Sequence, residues 1–266
     1  MSTEGLTPAQ LTAEQVSVRR GSARLLTDIS LTASPGQFVA ICGPNGAGKS
    51  TLLGALAGSS PPDAGRILLN GRTLSSYSPV ALARRRAVLS QQSALLFAFQ
   101  VAEVVMLGRA PHQGISTARD DARIVRAAMA QMGISALAER NYLTLSGGER
   151  QRVQLARVLA QIWEPAAPDQ ARWLLLDEPT AALDLKYQIG LMRVLRQCAD
   201  NGWAVIAVLH DLALVRRWAD RCVLLRQGQL VADGLAGEVL QADQVARVFD
   251  LDPADLAGLL PAAEPA

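Results

Sequence analysis

The 266-residue sequence predicts an α/β fold in which a largely parallel sheet is covered on both faces by helices. Three observations point there. Short apolar runs alternate with stretches of helical periodicity along most of the chain. A glycine-rich loop joins one of these runs to a helix. A second apolar run ends in two adjacent carboxylates, at the strand end where open α/β sheets bind their ligands.

The elements follow in order. Residues 1 to 12 are polar and mixed and read as a tail. Glu14 to Arg20 and Arg24 to Ala33 alternate as strands, split by Gly21. Gln37 to Cys42 is a short apolar strand, and Lys49 to Ala57 a helix closed by Gly58. Pro61, Pro62, Asp63 and Gly65 mark a turn before a strand at Arg66 to Asn70. From Val101 to about Arg140 the pattern turns helical, clearest over Ala118 to Met132, and reads as a helical insertion. Gly148 to Gln161 is a further helix. Trp173 to Asp177 is strand, Tyr187 to Cys198 helix, Ala204 to Leu209 strand and Leu212 to Trp218 helix. Arg221 to Arg226 and Gln229 to Asp233 are strands joined at Gln227 and Gly228. The stretch after Pro253 is rich in alanine and proline and reads as a tail. There is no internal repeat.

Composition narrows the function classes. Half of the residues are hydrophobic and 19% are charged, a globular balance that excludes disorder as the main state. The formal net charge of +2 is too small to argue for nucleic acid, and no Lys/Arg stripe stands out. Three cysteines (Cys42, Cys198 and Cys222) make no disulfide framework and favour a reducing compartment. No Cys/His cluster has zinc spacing. The first fifteen residues carry no secretory pattern, and no apolar run approaches the roughly 20 residues that span a bilayer. The mean hydropathy of +0.17 suits an apolar docking face.

The chemistry is concentrated in three motifs. Gly43-Pro44-Asn45-Gly46-Ala47-Gly48-Lys49-Ser50, followed by Thr51, fits the phosphate-loop pattern between a predicted strand and a predicted helix. Its glycines let several backbone N–H groups face one anion, and the helix N-terminus favours negative charge. Lys49 is expected to bridge the β- and γ-phosphates and Ser50 to ligate Mg²⁺. Asp177 and Glu178 end the strand of leucines. Asp177 is expected to hold Mg²⁺ through water, and Glu178 to orient and deprotonate an attacking water. Ser146-Gly147-Gly148-Glu149 opens a helix and forms a second anion site. Two phosphate-binding elements for one nucleotide suggest a composite site shared by two copies.

With these motifs in this order, the sequence resembles the ATP-binding cassette (ABC) transporter ATPase family over about residues 14 to 250. The resemblance implies a phosphate-loop NTPase core with an antiparallel β edge and an inserted α-helical subdomain, about residues 95–160. Residues 14–252 would be the ATPase domain, between tails 1–13 and 253–266. Gln91 matches the glutamine that contacts Mg²⁺ and reports to the permease, with Gln92 the second candidate. Asp184 matches the residue whose loop crosses the dimer interface, and His210 the histidine that touches the γ-phosphate. The substrates implied are ATP with Mg²⁺. The working unit is a homodimer in which Ser146 to Glu149 and Asp184 act in trans. It joins two transmembrane permease subunits and, through them, an extracytoplasmic binding protein, at the cytoplasmic face of the cell (inner) membrane.

The sequence departs from the family pattern at three places. Arg20 stands where an aromatic usually stacks on adenine; it is either a stacking guanidinium or an exposed strand arginine. Ser90 stands where proline is common, and Ala181 where serine is common. Val101 to His112 and His210 to Asp220 resemble importers of ferric siderophore, cobalamin and haem. The insertion from Gln161 to Arg172 resembles the haem (hemin) importers within that group. The alternatives are a ferric-siderophore or cobalamin importer and a soluble, non-transport ABC ATPase. Arg84, Arg85 and Arg86 are expected as a solvated helix end, or else as a docking contact near Gln91. His112 is read as a loop residue that binds no metal. Cys42 is expected to be a small buried residue, and Met106, Met129 and Met132 helix packing.

Overall fold

The computed structural model describes residues 9–90, 97–165 and 170–256. Two sheets form the framework. A six-stranded sheet runs in the order β10-β9-β3-β8-β7-β6, built from β3 (Phe38–Cys42), β6 (Arg86–Leu89), β7 (Trp173–Asp177), β8 (Ala204–Val208), β9 (Arg221–Arg226) and β10 (Gln229–Leu235). Its pairings are parallel except for the antiparallel edge strand β10. A four-stranded antiparallel sheet, β2-β1-β4-β5, comprises β1 (Leu11–Arg20), β2 (Ala23–Ala33), β4 (Ala64–Leu69) and β5 (Arg72–Thr73).

The central strands β3, β7 and β8 are apolar throughout, apart from Asp177 at the end of β7, because both faces of the large sheet are covered. Phe38, Ala40, Leu174, Leu176, Val205 and Ala207 turn to one core, packed under the helices. Val39, Ile41, Trp173, Leu175, Ile206 and Val208 turn to the other, shared with the antiparallel sheet and α1 (Lys49–Ala57). The strand period of two thus divides one sheet between two cores.

Helices α6 (Leu185–Asp200) and α7 (Leu212–Trp218) flank the large sheet. The helical insertion holds α3 (Val101–Met106), a 3₁₀ segment at Leu107–His112, α4 (Ala118–Gln131) and α5 (Gly147–Gln161). Thr117 caps α4 and accepts from the Asp120 backbone N–H at 3.1 Å. The face of α4 bearing Ile124, Val125, Ala128 and Met129 is buried. Short helices α8 (Ala236–Val239) and α9 (Ala242–Phe249) follow β10, with a 3₁₀ turn at Pro253–Leu256 beyond them.

Several expectations need adjustment. The first strand begins at Leu11, not Glu14, since Leu11 and Ala13 are buried and pair with Ala33 and Leu31. The run from Val101 is broken after Met106, where Gly108 and Pro111 fall in the 3₁₀ segment. Of the three arginines only Arg84 stands at a helix end, and all three are half-buried. Arg84 caps α2 (Pro79–Ala83), and its Nε donates to the Pro111 carbonyl at 2.7 Å. Arg85 Nε donates to Gln170 at 3.0 Å. Arg86 opens β6, pairing with Trp173. Cys42, Met129 and Met132 are buried as expected, whereas Met106 is 38% exposed. Among the described residues, no helix is long and apolar enough to cross a membrane.

Candidate nucleotide site

The loop between β3 and α1 is held from three sides. Gly43 has φ +145°, and a Cβ there would lie 2.1 Å from the Leu225 carbonyl oxygen of β9. Gly48 has φ +97° and faces the Leu25 carbonyl and the Leu26 side chain, each 2.8 Å from a Cβ placed on it. The backbone N–H of Gly228, in the β9–β10 turn, donates to the Ala47 carbonyl at 3.0 Å. Only glycine fits both loop positions. The start of β2 and the β9–β10 turn therefore buttress the loop, a role that no local pattern in those segments signals.

Lys49 is 6% exposed and donates to the Gly43 and Pro44 carbonyls, each at 2.8 Å. Burial lowers its pKa, opposed by the nearby Glu178, Cys42 and Asp177. A buried ammonium beside a glycine cradle and a helix N-terminus fits a polyphosphate.

Asp177, at the end of β7, is 8% exposed. It accepts a hydrogen bond from Ser50 Oγ at 3.0 Å. Burial raises its pKa, with Glu178 adding to the rise and the Ser50 hydroxyl and Lys49 opposing it. A hydroxyl and a desolvated carboxylate form a hard oxygen donor pair, and these residues fit Mg²⁺. Glu178 follows in the left-handed region, φ +48°. That conformation is strained for a residue with a Cβ and turns the chain sharply off the strand. Its Oε1 lies 2.8 Å from His210 Nε2.

Lys49, Ser50, Asp177, Glu178 and His210 thus gather around the carboxyl ends of β3, β7 and β8. Ser146, Asp184 and Arg20 stand on other elements. Ser146 caps α5 in a reciprocal box: its backbone N–H donates to Glu149 Oε2 at 2.8 Å, and its hydroxyl accepts from the Glu149 N–H at 3.3 Å. Hydrogen bonds donated to the Glu149 carboxylate by the Ser146 N–H and, at 2.9 Å, by its hydroxyl hold that carboxyl below its ordinary pKa. Gly147 and Gly148 form the first turn of α5. Asp184 caps α6, accepting from the Tyr187 N–H at 3.1 Å. Arg20 is exposed at the end of β1, opposite Ala23. Asn45 and Gly46 are exposed at the tip of the phosphate loop, and Thr51 is in α1. Gln91 and Gln92 lie outside the described residues. His112 is 8% exposed with Nε2 2.7 Å from the Gln161 carbonyl oxygen, a structural contact. One contact was not anticipated: Gln151 Nε2 donates to the Pro179 carbonyl at 3.1 Å.

Comparison with known proteins gives a consistent picture. The chain is 50% identical over 241 residues to the hemin import ATP-binding protein HmuV of Gloeobacter violaceus, covering 91% of this chain and 87% of that protein. It is 48% identical over 242 residues to the protein of the same name from Pseudomonas entomophila, covering 91% and 93%. The dimeric structure of a bacterial ABC transporter cassette superposes with a TM-score of 0.75 at 25% identity, covering 85% of this chain and 98% of that one. The family model described as ABC transporter matches residues 26–181, more than half of the sequence, and the chain belongs to that family as an ATP-binding, ATP-hydrolysing member.

Proposed function

We propose that this protein is the ATP-hydrolysing subunit that powers import of hemin across the cytoplasmic membrane. The observation that carries the reading is 45–50% identity, over 91–92% of the chain, to several proteins named for hemin import. Two copies pair so that each ATP lies between Gly43 to Thr51 of one and Ser146 to Glu149 of the other, with Asp184 at the contact. The dimer docks under two transmembrane permease subunits at the inner face of the membrane, and an extracytoplasmic hemin-binding protein delivers the cargo.

The chemistry is in-line attack of water on the γ-phosphorus. Glu178 takes the water proton, and the bond to the bridging oxygen breaks to release ADP and phosphate. His210 holds the Glu178 carboxylate and faces the γ-phosphate. Lys49 leaves its loop carbonyls for the phosphate oxygens and stabilises their developing charge. Ser50, Asp177 and Gln91 would hold Mg²⁺, which supplies charge neutralisation between the phosphates. The Ser146 hydroxyl and the α5 N-terminus of the second copy complete the anion site. This assignment is supported by the geometry of Ser50, Asp177, Glu178 and His210 within one chain.

The test is ATP-driven uptake into liposomes holding the chain with its permease, with hemin, cobalamin and a ferric siderophore compared side by side. Uptake of hemin alone is expected. Uptake of another cargo in its place would refute the hemin reading while leaving the ATPase chemistry standing.

A further inference from the structure

The helix that begins with Ser146 also reaches the turn that carries Glu178. Gln151, half-buried on α5, donates its side-chain N–H to the Pro179 carbonyl at 3.1 Å. Proline has no N–H, so this carbonyl is the only hydrogen-bonding group of the residue. Holding it fixes the peptide plane that follows Glu178 and Pro179. The turn needs such support, because Glu178 sits at φ +48° and a strained backbone persists only where its surroundings determine it. The support comes mostly from α5 and α6. Beyond Pro179, a Cβ on Gly148 would lie 3.0 Å from the Ala182 carbonyl oxygen, so α5 runs close along the segment. Gln188 Nε2 donates to the Leu183 carbonyl at 2.9 Å. Arg152 lies 3.9 Å over the Tyr187 ring, tying α5 to α6. Within the turn, the Ala181 N–H reaches the Glu178 carbonyl at 3.2 Å.

We propose that Gln151 is a positioning residue for hydrolysis, setting the aim of the Glu178 carboxylate through the Pro179 peptide. The inference rests on the reading of Glu178 as the base. Ser146 and Gln151 are about 7.5 Å apart along one helix. A nucleotide seated on the start of α5 therefore bears on the base of the same copy, which serves the other site of the pair. Because Gln151 acts through the Pro179 peptide, its loss is expected to slow turnover without weakening ATP binding.

The test uses the chain assembled with its permease in liposomes, measuring kcat and KM for ATP and the thermal midpoint. Gln151→Ala is expected to lower kcat about tenfold and leave KM within twofold. Gln151→Glu keeps the size but replaces the donor with an acceptor, and should be as slow. Gln151→Lys restores a donor and should recover at least threefold over Gln151→Ala. A wild-type kcat in Gln151→Ala overturns the proposal. So does equal slowing in all three variants, which would mark a packing role. Glu178→Gln is run alongside. If it is inert while Gln151→Ala is fast, only this inference falls. If it hydrolyses ATP at the wild-type rate, the base assignment falls and this inference with it.

Discussion

Gly108 offers a stability test that does not touch the nucleotide chemistry. It lies in the 3₁₀ segment after α3, against the last turns of α5. A Cβ on Gly108 would stand 2.2 Å from the Arg157 carbonyl oxygen, 3.2 Å from the Arg157 carbonyl carbon and 3.4 Å from the Gln161 nitrogen. These are backbone atoms of a buried helix and cannot swing aside. Gly108→Ala must therefore push the segment off α5 by about 1 Å to restore an ordinary contact. Two hydrogen bonds cross the same seam, Arg109 Nη1 to the Ala160 carbonyl and His112 Nε2 to the Gln161 carbonyl, each at 2.7 Å. Stretched by that much they reach about 3.7 Å and cease to be hydrogen bonds. The guanidinium bond is worth roughly 1.5–3 kcal/mol and the imidazole bond roughly 0.5–1.5. The expected loss is therefore about 2–4.5 kcal/mol, read by urea unfolding. Gly190→Ala is the control. It lies inside α6 with nothing within 4 Å of its Cβ, and should stabilise by roughly 0.5–1 kcal/mol through helix propensity. A loss below about 0.5 kcal/mol for Gly108→Ala would refute the argument.

Glu178→Gln should bind ATP and pair but turn over 10²- to 10⁴-fold more slowly, the range for removal of a general base; hydrolysis at the wild-type rate would remove Glu178 from that role. Lys49→Ala should abolish retention of labelled ATP in equilibrium dialysis, since no other buried ammonium faces the loop among the described residues. Cys198 is buried and its thiol is pushed from 9.0 up to about 12 by desolvation. Between these values the unfolded chain has lost this proton while the folded chain keeps it. Stability should therefore fall by ~1.4 kcal/mol per pH unit above pH 9 on account of this thiol, and Cys198→Ala should show a shallower alkaline loss. Equal slopes would count against the burial argument. Arg86 Nε and Nη1 are buried with no hydrogen-bond partner among the described residues, and burial lowers this guanidinium to about 10. Arg86→Met should therefore leave unfolding in urea unchanged or raise stability by roughly 1–2 kcal/mol; a loss of that size would mean that the charge has a partner in solution.

What was legible in the sequence is what is local. The glycines of Gly43 to Gly48 and the acids after Leu176 announce themselves because strand, turn and helix signals sit within a few residues of one another. The all-apolar runs at Phe38, Trp173 and Ala204 read as covered strands because both of their faces are buried. Strand β6 escapes a local reading because it has only four residues and opens on a charged side chain, Arg86. The break after Met106 was signalled by Gly108 and Pro111, but helical periodicity on either side masked it. The contact of Gln151 with Pro179 joins residues 28 apart, and the support that Leu25, Leu225 and Gly228 give the phosphate loop joins three distant segments. Such pairings depend on how the sheets stack, and no window of sequence contains them.

The seam between the 3₁₀ segment and α5 has a mechanical meaning. Gly108, Arg109 and His112 grip the backbone at Arg157, Ala160 and Gln161, so the two pieces cannot flex against each other without tearing polar contacts. The region behaves as a stiff strut. Met106 and Leu107, 38% and 43% exposed, form its outer handle, and Ser146 lies at the far end of α5. The exposed handle and Ser146 are thus the two ends of one continuously bonded piece of the chain.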